Sequence, residues 1–297
     1  MSDMSNNSVA IDRKCFSALP EDTIVVSGSS FRSIHKIHKI IKERTEPGIE
    51  YLHFKDIRPE LAEKFSSKSA RLMYCYDTQS MIIKLVSGPH EGAARRIDYA
   101  VAKQCLNMGL EGSLRPSGSI RLSGVFSKKE ADGSWIPTPQ IPGRGPWPTM
   151  VVEVAVSESY RKLRADADWW ISNSHGAVKV VIIVDVSKEK EKKKRTITFE
   201  TIILDPTMTL RPLSRPRRRY KTITRQKITT SREPGRSNHD APISVSPDED
   251  LLLKFEEVFD RQPIPPEHDL LIKRDMLKMT SREVWEAQDV ESAEEFA

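Results

Sequence analysis

Cysteine is scarce: Cys15, Cys75 and Cys105 are the whole supply in 297 residues, an odd number at wide spacing. That excludes a disulfide scaffold, and the spacing matches no zinc motif. The chain reads as one from a reducing, intracellular compartment, with nucleus and cytoplasm both open. No apolar run approaches the roughly 18 residues of a membrane helix, so no membrane partner is expected. The first ten residues are polar and lack an apolar stretch, so no secretory signal is expected. No repeat recurs at a period of roughly 20–50 residues, which excludes solenoids and propellers. A Walker loop, a G-x-G-x-x-G turn and a defensible Ser-His-Asp order are all missing.

Apolar residues make up 38% of the chain and charged residues 30%. That is polar for a globular protein, yet too apolar for full disorder. The net charge of +5 is unevenly spread. Residues 211–236 carry ten Lys/Arg against one Glu, whereas residues 247–297 carry fifteen acids against six bases. The basic balance therefore belongs to one segment, a weaker argument for nucleic-acid binding than a basic fold would be.

Residues 1–20 read as disordered. Ile34, Ile37, Ile40 and Ile41 recur at helical spacing, so 31–44 is expected to be an amphipathic helix, and 57–65 a second short one. Residues 71–76 and 80–85 read as strands around an Asp77-Thr78 turn. Ser87 to Glu91 opens a helix through about residue 108, with Ala93, Ile97, Ala100 and Val101 on one face. Extended segments follow at 117–122 and 128–136, then a Pro/Gly-rich loop over 137–148. A short apolar strand at 150–157 precedes a helix at 159–171. The run 178–186 reads as a buried central strand, and 196–204 as an alternating one. The sequence KEKEKKKR over 188–195 reads as a charged turn. Residues 205–247 read as a basic, exposed insertion, 251–259 as a strand, 266–287 as a helix, and 289–297 as an acidic tail. The expected fold is α/β, a mixed central sheet flanked by helices. Its core spans 70–204 and is completed by 248–288, with 21–69 as a helical add-on.

One residue calls for a chemical reason. Val151-Val152-Glu153-Val154-Ala155-Val156 is a buried-type strand carrying a single carboxylate. An ionised acid among apolar neighbours costs several kcal/mol unless paired or metal-bound. Asp132 lies 21 residues upstream at a strand-like turn, and Lys162 opens the next helix nine residues downstream. Two carboxylates can hold a hard divalent cation. Such a cation lowers the pKa of a bound water and braces a phosphoryl oxygen. A nearby lysine can orient that water or stabilise developing negative charge.

At these residues the chain resembles the PD-(D/E)XK, or restriction-endonuclease-like, superfamily. More narrowly, it is similar to restriction endonucleases abundant in cyanobacteria and to uncharacterised fungal relatives. The resemblance covers about residues 81–186, and more loosely the region beyond 251. It is carried by Met81–Glu91 with the following helix, by Lys129–Pro137 and by Trp147–Ser187. Asp132 takes the place of the "PD" acid, with Ala131 in place of the proline. Glu153 takes the place of the acid of the E-x-K strand, with Ala155 where the lysine would stand. The resemblance displaces that lysine onto the next helix, where Lys162 fits, and gives Glu91 the place of an accessory acid. It implies a restriction-endonuclease-like core and an Mg²⁺-dependent phosphodiesterase, with Asp132, Glu153 and the Val154 carbonyl on the metal and Lys162 at the water. Nucleic acid would be the partner.

Each residue also has a plainer role. Asp132 can be a turn-former before Gly133, Glu153 a structural ion-pair partner, Lys162 a solvated helix residue, and Glu91 a first-turn acid facing the helix dipole. His90 reads as a helix-start residue, and His35 and His38 as a solvated, partly basic face. Trp135, Trp147, Trp169 and Trp170 read as core and loop anchors. The run 215–221 can contact phosphates, direct nuclear import or be a disordered insertion. The rival to the enzyme is accordingly a catalytically inactive nuclease-fold module binding nucleic acid or protein, in which the acids and Lys162 form a buried ion-pair network.

Overall fold

A computed structural model describes residues 2–43, 49–140, 144–156, 160–187, 194–208, 220–233 and 241–295, with side chains over 10–293 of these. The chain opens with α1 (Ser2–Ser17), β1 (Ile24–Ser27), α2 (Ile34–Glu43), β2 (Tyr51–Lys55) and α3 (Pro59–Lys64). The hairpin β3 (Ala70–Cys75) and β4 (Ser80–Leu85) leads into α4 (Gly88–Asn107). Four short strands follow: β5 (Leu114–Pro116), β6 (Arg121–Ser123), β7 (Ser127–Glu130) and β8 (Gly133–Pro137). Then come β9 (Met150–Ala155), α5 (Tyr160–Asn173), β10 (Val180–Val186), β11 (Arg195–Leu204), β12 (Thr222–Arg232) and β13 (Ser244–Ser246). The chain ends with β14 (Leu251–Leu253), α6 (Phe255–Phe259), β15 (Leu270–Ile272) and α7 (Arg274–Glu295).

This is the mixed α/β fold expected, with its strands divided between two large sheets. The first has six strands in the order β1-β2-β4-β3-β7-β6. The second has seven, β13-β12-β11-β10-β9-β8-β5, and β14 and β15 form a small third pair. In the second sheet β9 and β10 run parallel, joined by α5, while β8 and β11 flank them antiparallel.

Alternation along the strands sorts the core into layers. Met150, Val152, Val154, Val180, Ile182 and Val184 face α4 and α7. Val151, Ala155, Val181 and Ile183 face the opposite way, onto α5, α1 and the first sheet. The first sheet is itself two-faced: Met73 and Ile82 join that middle layer, whereas Leu72, Tyr74, Met81 and Ile83 pack against α2 and α3. Ile37, at the centre of the expected amphipathic face, is fully buried there.

Several expectations are corrected. The segment 128–136 is two strands, not one: β7 pairs in the first sheet, β8 in the second, and the chain crosses between them at Ala131-Asp132. The region 205–247 is not wholly an exposed insertion. Residues 222–232 form a long strand paired with β11, and Ile228 and Thr230 are fully buried. Its threonines supply β-propensity that a search for apolar periodicity overlooks. Its densest basic run, 209–219, lies outside the described residues, as do residues 188–193 of the charged turn. Residues 251–259 break at Lys254 into β14 and α6. The last helix starts at Arg274, because Leu270 to Ile272 pair with β14. The add-on 21–69 contributes strands as well as helices.

Residues 2–17 are helical, not disordered. Asp12 of α1 is fully buried and accepts hydrogen bonds from Ser127 Oγ (2.7 Å) and Trp169 Nε1 (2.9 Å). Cys15 Sγ reaches the Ala165 carbonyl at 3.4 Å, and Lys14 pairs with Asp168. The three cysteines are free and buried. Among the described residues no helix is long and apolar enough to cross a membrane.

Two outcomes follow. Ile228→Ala should lower stability by about 2–5 kcal/mol in denaturant titration, as a buried core truncation does, whereas an exposed loop would register almost nothing. Burial pushes the Asp12 carboxyl up from 3.8 to about 6, against the pull of its Ser127 and Trp169 hydrogen bonds. Its folded-state pKa exceeds its unfolded value, so stability from this group falls as pH rises from about 4 to about 6 and is level above. Asp12→Asn should remove that component of the pH slope in parallel melts of the two proteins.

Candidate functional site

The strand crossing at Ala131-Asp132 sets the geometry. Gly133 lies opposite Val152 in the β8–β9 pairing, so the Asp132 side chain lies at the end of β9. Its Oδ2 accepts the Val154 backbone N–H at 2.8 Å. Glu153 points into the middle layer, on the same side as Val151 and Ala155. Asp132 and Glu153 thus flank one point, and that point is filled. The ammonium of Lys84, delivered by β4 of the first sheet, lies between them. Its Nζ is 2.5 Å from Asp132 Oδ2 and 3.9 Å from Glu153 Oε2, and it donates to the Val154 carbonyl.

The network extends from there. Lys129 of β7 donates to Glu153 Oε1 at 2.7 Å and lies 3.7 Å from Asp166 Oδ2. Trp170 Nε1 donates to the same Glu153 oxygen at 2.5 Å. Lys162 donates to Asp166 one helical turn along α5, with its ammonium 5.9 Å from the Tyr51 ring. Three acids and three lysines are therefore interlocked, and none of the six side chains is more than 6% exposed.

Burial and neighbouring charges compete within the cluster. Burial is the largest influence on Asp132 and would raise it, but Lys84, His90 and the Val154 N–H together hold that carboxyl below its ordinary value. Asp166 is likewise lowered, by Lys129 and Lys162 against burial. Glu153 goes the other way: burial raises it, and Asp132 and Asp166 add to that against Lys129. Burial works against the charged forms of Lys84 and Lys129, yet both are raised by the carboxylates around them.

Of the sequence-stated set, Asp132, Glu153 and Val154 come together. Lys162 belongs to the same cluster but touches Asp166, not the acid pair. Glu91 does not join: it is partly exposed on α4 and pairs with Arg95 at 2.8 Å. Its neighbour His90 turns inward instead, bonding Glu50 Oε1 at 3.0 Å and Ser87 Oγ at 2.8 Å. Sequence reasoning missed Lys84, Lys129 and Asp166. Lys84 carried the same signal as Glu153, a lone charge inside the apolar run Ser80-Met81-Ile82-Ile83-Lys84-Leu85.

The oxygens that converge on the Lys84 ammonium are two carboxylates and one backbone carbonyl, a hard donor set suited to a hard cation. Asp132 Oδ1 beside them is buried without a hydrogen-bond partner. Among the described residues, no group of three or more His, Cys, Asp or Glu side chains forms a metal cradle by itself. A separate surface groove of about 680 Å³ lies at Lys14, Arg164, Asp168, Asp205, Tyr220 and Thr222. Its acids are already matched, Asp168 by Lys14 and Asp205 by Lys221.

Removing one cation from the cluster strands a buried acid. Lys129→Met should cost about 3–5 kcal/mol in equilibrium unfolding, far more than an exposed lysine does. No protein-family model matches this chain, and no curated protein matches it.

Proposed function

We propose that the chain carries a cation-dependent phosphodiesterase site of the endonuclease-like kind, centred on Asp132 and Glu153. The observation that supports this reading is the convergence of Asp132 Oδ2, Glu153 Oε2 and the Val154 carbonyl on one cationic point. Those three groups would hold Mg²⁺ or Mn²⁺. When bound, such an ion polarises a phosphoryl oxygen and lowers the pKa of a water. The chain's own residues do the positioning. Trp170 and Lys129 fix one oxygen of Glu153, leaving the other on the side of Lys84. Lys162 holds Asp166, which with Lys129 balances the charge behind the pair. Nucleic acid is the substrate class proposed, and an intracellular setting accords with three free, buried cysteines.

A second reading is favoured by one observation: the cluster balances three acids with three lysines, all buried. A nuclease-fold module without catalysis would keep such a network as a structural core and bind its partner elsewhere.

Cleavage of single- and double-stranded nucleic acid in millimolar Mn²⁺ separates the two. Under the enzyme reading, wild-type protein cleaves and Glu153→Gln loses both cleavage and Mn²⁺ binding, while Lys162→Met retains Mn²⁺ binding. A Lys162→Met rate within about twofold of wild type would confine that lysine to holding Asp166. Absence of both cleavage and Mn²⁺ binding, in wild type and with Lys84 removed, would give the lead to the noncatalytic module.

A further inference from the structure

Lys84 is held more firmly than a surface lysine. Its strand, β4, is an interior strand of the first sheet, with Lys84 opposite Tyr51 of β2 on one side and Arg71 of β3 on the other. Backbone pairing on both sides fixes where its side chain leaves the sheet. Strand alternation sends Met81, Ile83 and Leu85 toward α2 and α3, and Ile82 and Lys84 toward the second sheet. The stem crosses the middle layer and ends against oxygens of Asp132, Glu153 and Val154, residues 48 to 70 positions away in the chain.

An ammonium is a compact charge with three donors; this one donates to Asp132 Oδ2 and the Val154 carbonyl, with Glu153 Oε2 3.9 Å away as an ion-pair partner. A divalent ion bound by the same oxygens would need them at about 2.0–2.1 Å for Mg²⁺. Two cations cannot share that point. The oxygen set is also not exhausted by the lysine, since buried Asp132 Oδ1 has no hydrogen-bond partner. A charge-dense ion would use acceptor capacity that the ammonium leaves idle.

Resting on the cation-site reading above, we propose that Lys84 is the resident cation of this site: its ammonium holds the place of a divalent ion, and metal enters only by exchange against it. The first sheet then acts as more than packing, because it supplies the ion that closes the acid pair in the metal-free protein.

The test compares wild type with Lys84→Met, which keeps the stem and removes the charge. Mn²⁺ binding is read by electron paramagnetic resonance, and melting is followed in chelator and in millimolar Mn²⁺. The expected result is Mn²⁺ binding tighter by on the order of tenfold or more in Lys84→Met, the scale of one lost charge-assisted hydrogen bond. The variant should melt below wild type in chelator and recover in Mn²⁺, while wild type shifts little. Adding Glu153→Gln to Lys84→Met should abolish the gained binding, and binding that persists would place the metal elsewhere and overturn the proposal. Equal Mn²⁺ affinity in wild type and variant would overturn the exchange and leave the cation-site reading standing. No Mn²⁺ binding in either protein would remove the cation-site reading and the proposal with it. If Lys84→Met does not fold, Lys84→Gln is measured in the same way. Failure of both to fold even in Mn²⁺ would make Lys84 an irreplaceable structural partner and overturn the proposal.

Discussion

A carboxylate moved from water into a dry layer costs several kcal/mol unless a cation follows it. Glu153 is committed to that layer by its place in β9, because the alternation that buries Val152 and Val154 on one face turns Glu153 to the other. Everything around it answers that commitment. Lys129 comes from the strand before the sheet crossing, Trp170 from α5, and Lys84 from the other sheet. Asp166 and Lys162 extend the same balance along the helix. The two large sheets are thereby joined by charge as well as by apolar contact, and the charges are more selective about alignment. A one-residue slip of β4 would turn Lys84 toward α2 and α3 and bring an apolar side chain to the acids.

The same constraint gives the neighbouring elements their forms. On β7, Lys128 and Lys129 point in opposite directions: Lys128 pairs with Glu63 of α3 beside Tyr74 and Tyr76, and Lys129 with Glu153. Helix α5 is buried on nearly every side because α1 covers the flank that the second sheet does not. That is why a polar N-terminal helix carries a buried Asp12 and a buried Cys15.

Much of this was legible in the sequence, and the misses share a cause. Amphipathic or solidly apolar segments, such as 34–43, 80–85 and 180–186, were readable because one chemical pattern decides them. Glu153 was readable as an exception to such a pattern. Lys84 carried an equivalent exception, but its partners lie 48 and 70 residues away, and no local spacing links them. Residues 10–17 and 222–232 are harder to read for another reason. Their burial comes from contacts made by distant elements, so their polar composition pointed away from order. Lys162 fell in the right cluster but one carboxylate away from the acids, a distance that sequence spacing does not resolve.

The crossing at Ala131-Asp132 has a mechanical meaning. Two strands of different sheets are continuous through two residues, and the second of those residues is an acid of the cluster. A sliding motion of one sheet over the other would be transmitted along that short link straight to a carboxylate. Lys84 would travel with the first sheet while Glu153 stayed with the second. The spacing between ammonium and acids is therefore a gauge of how the two sheets are seated.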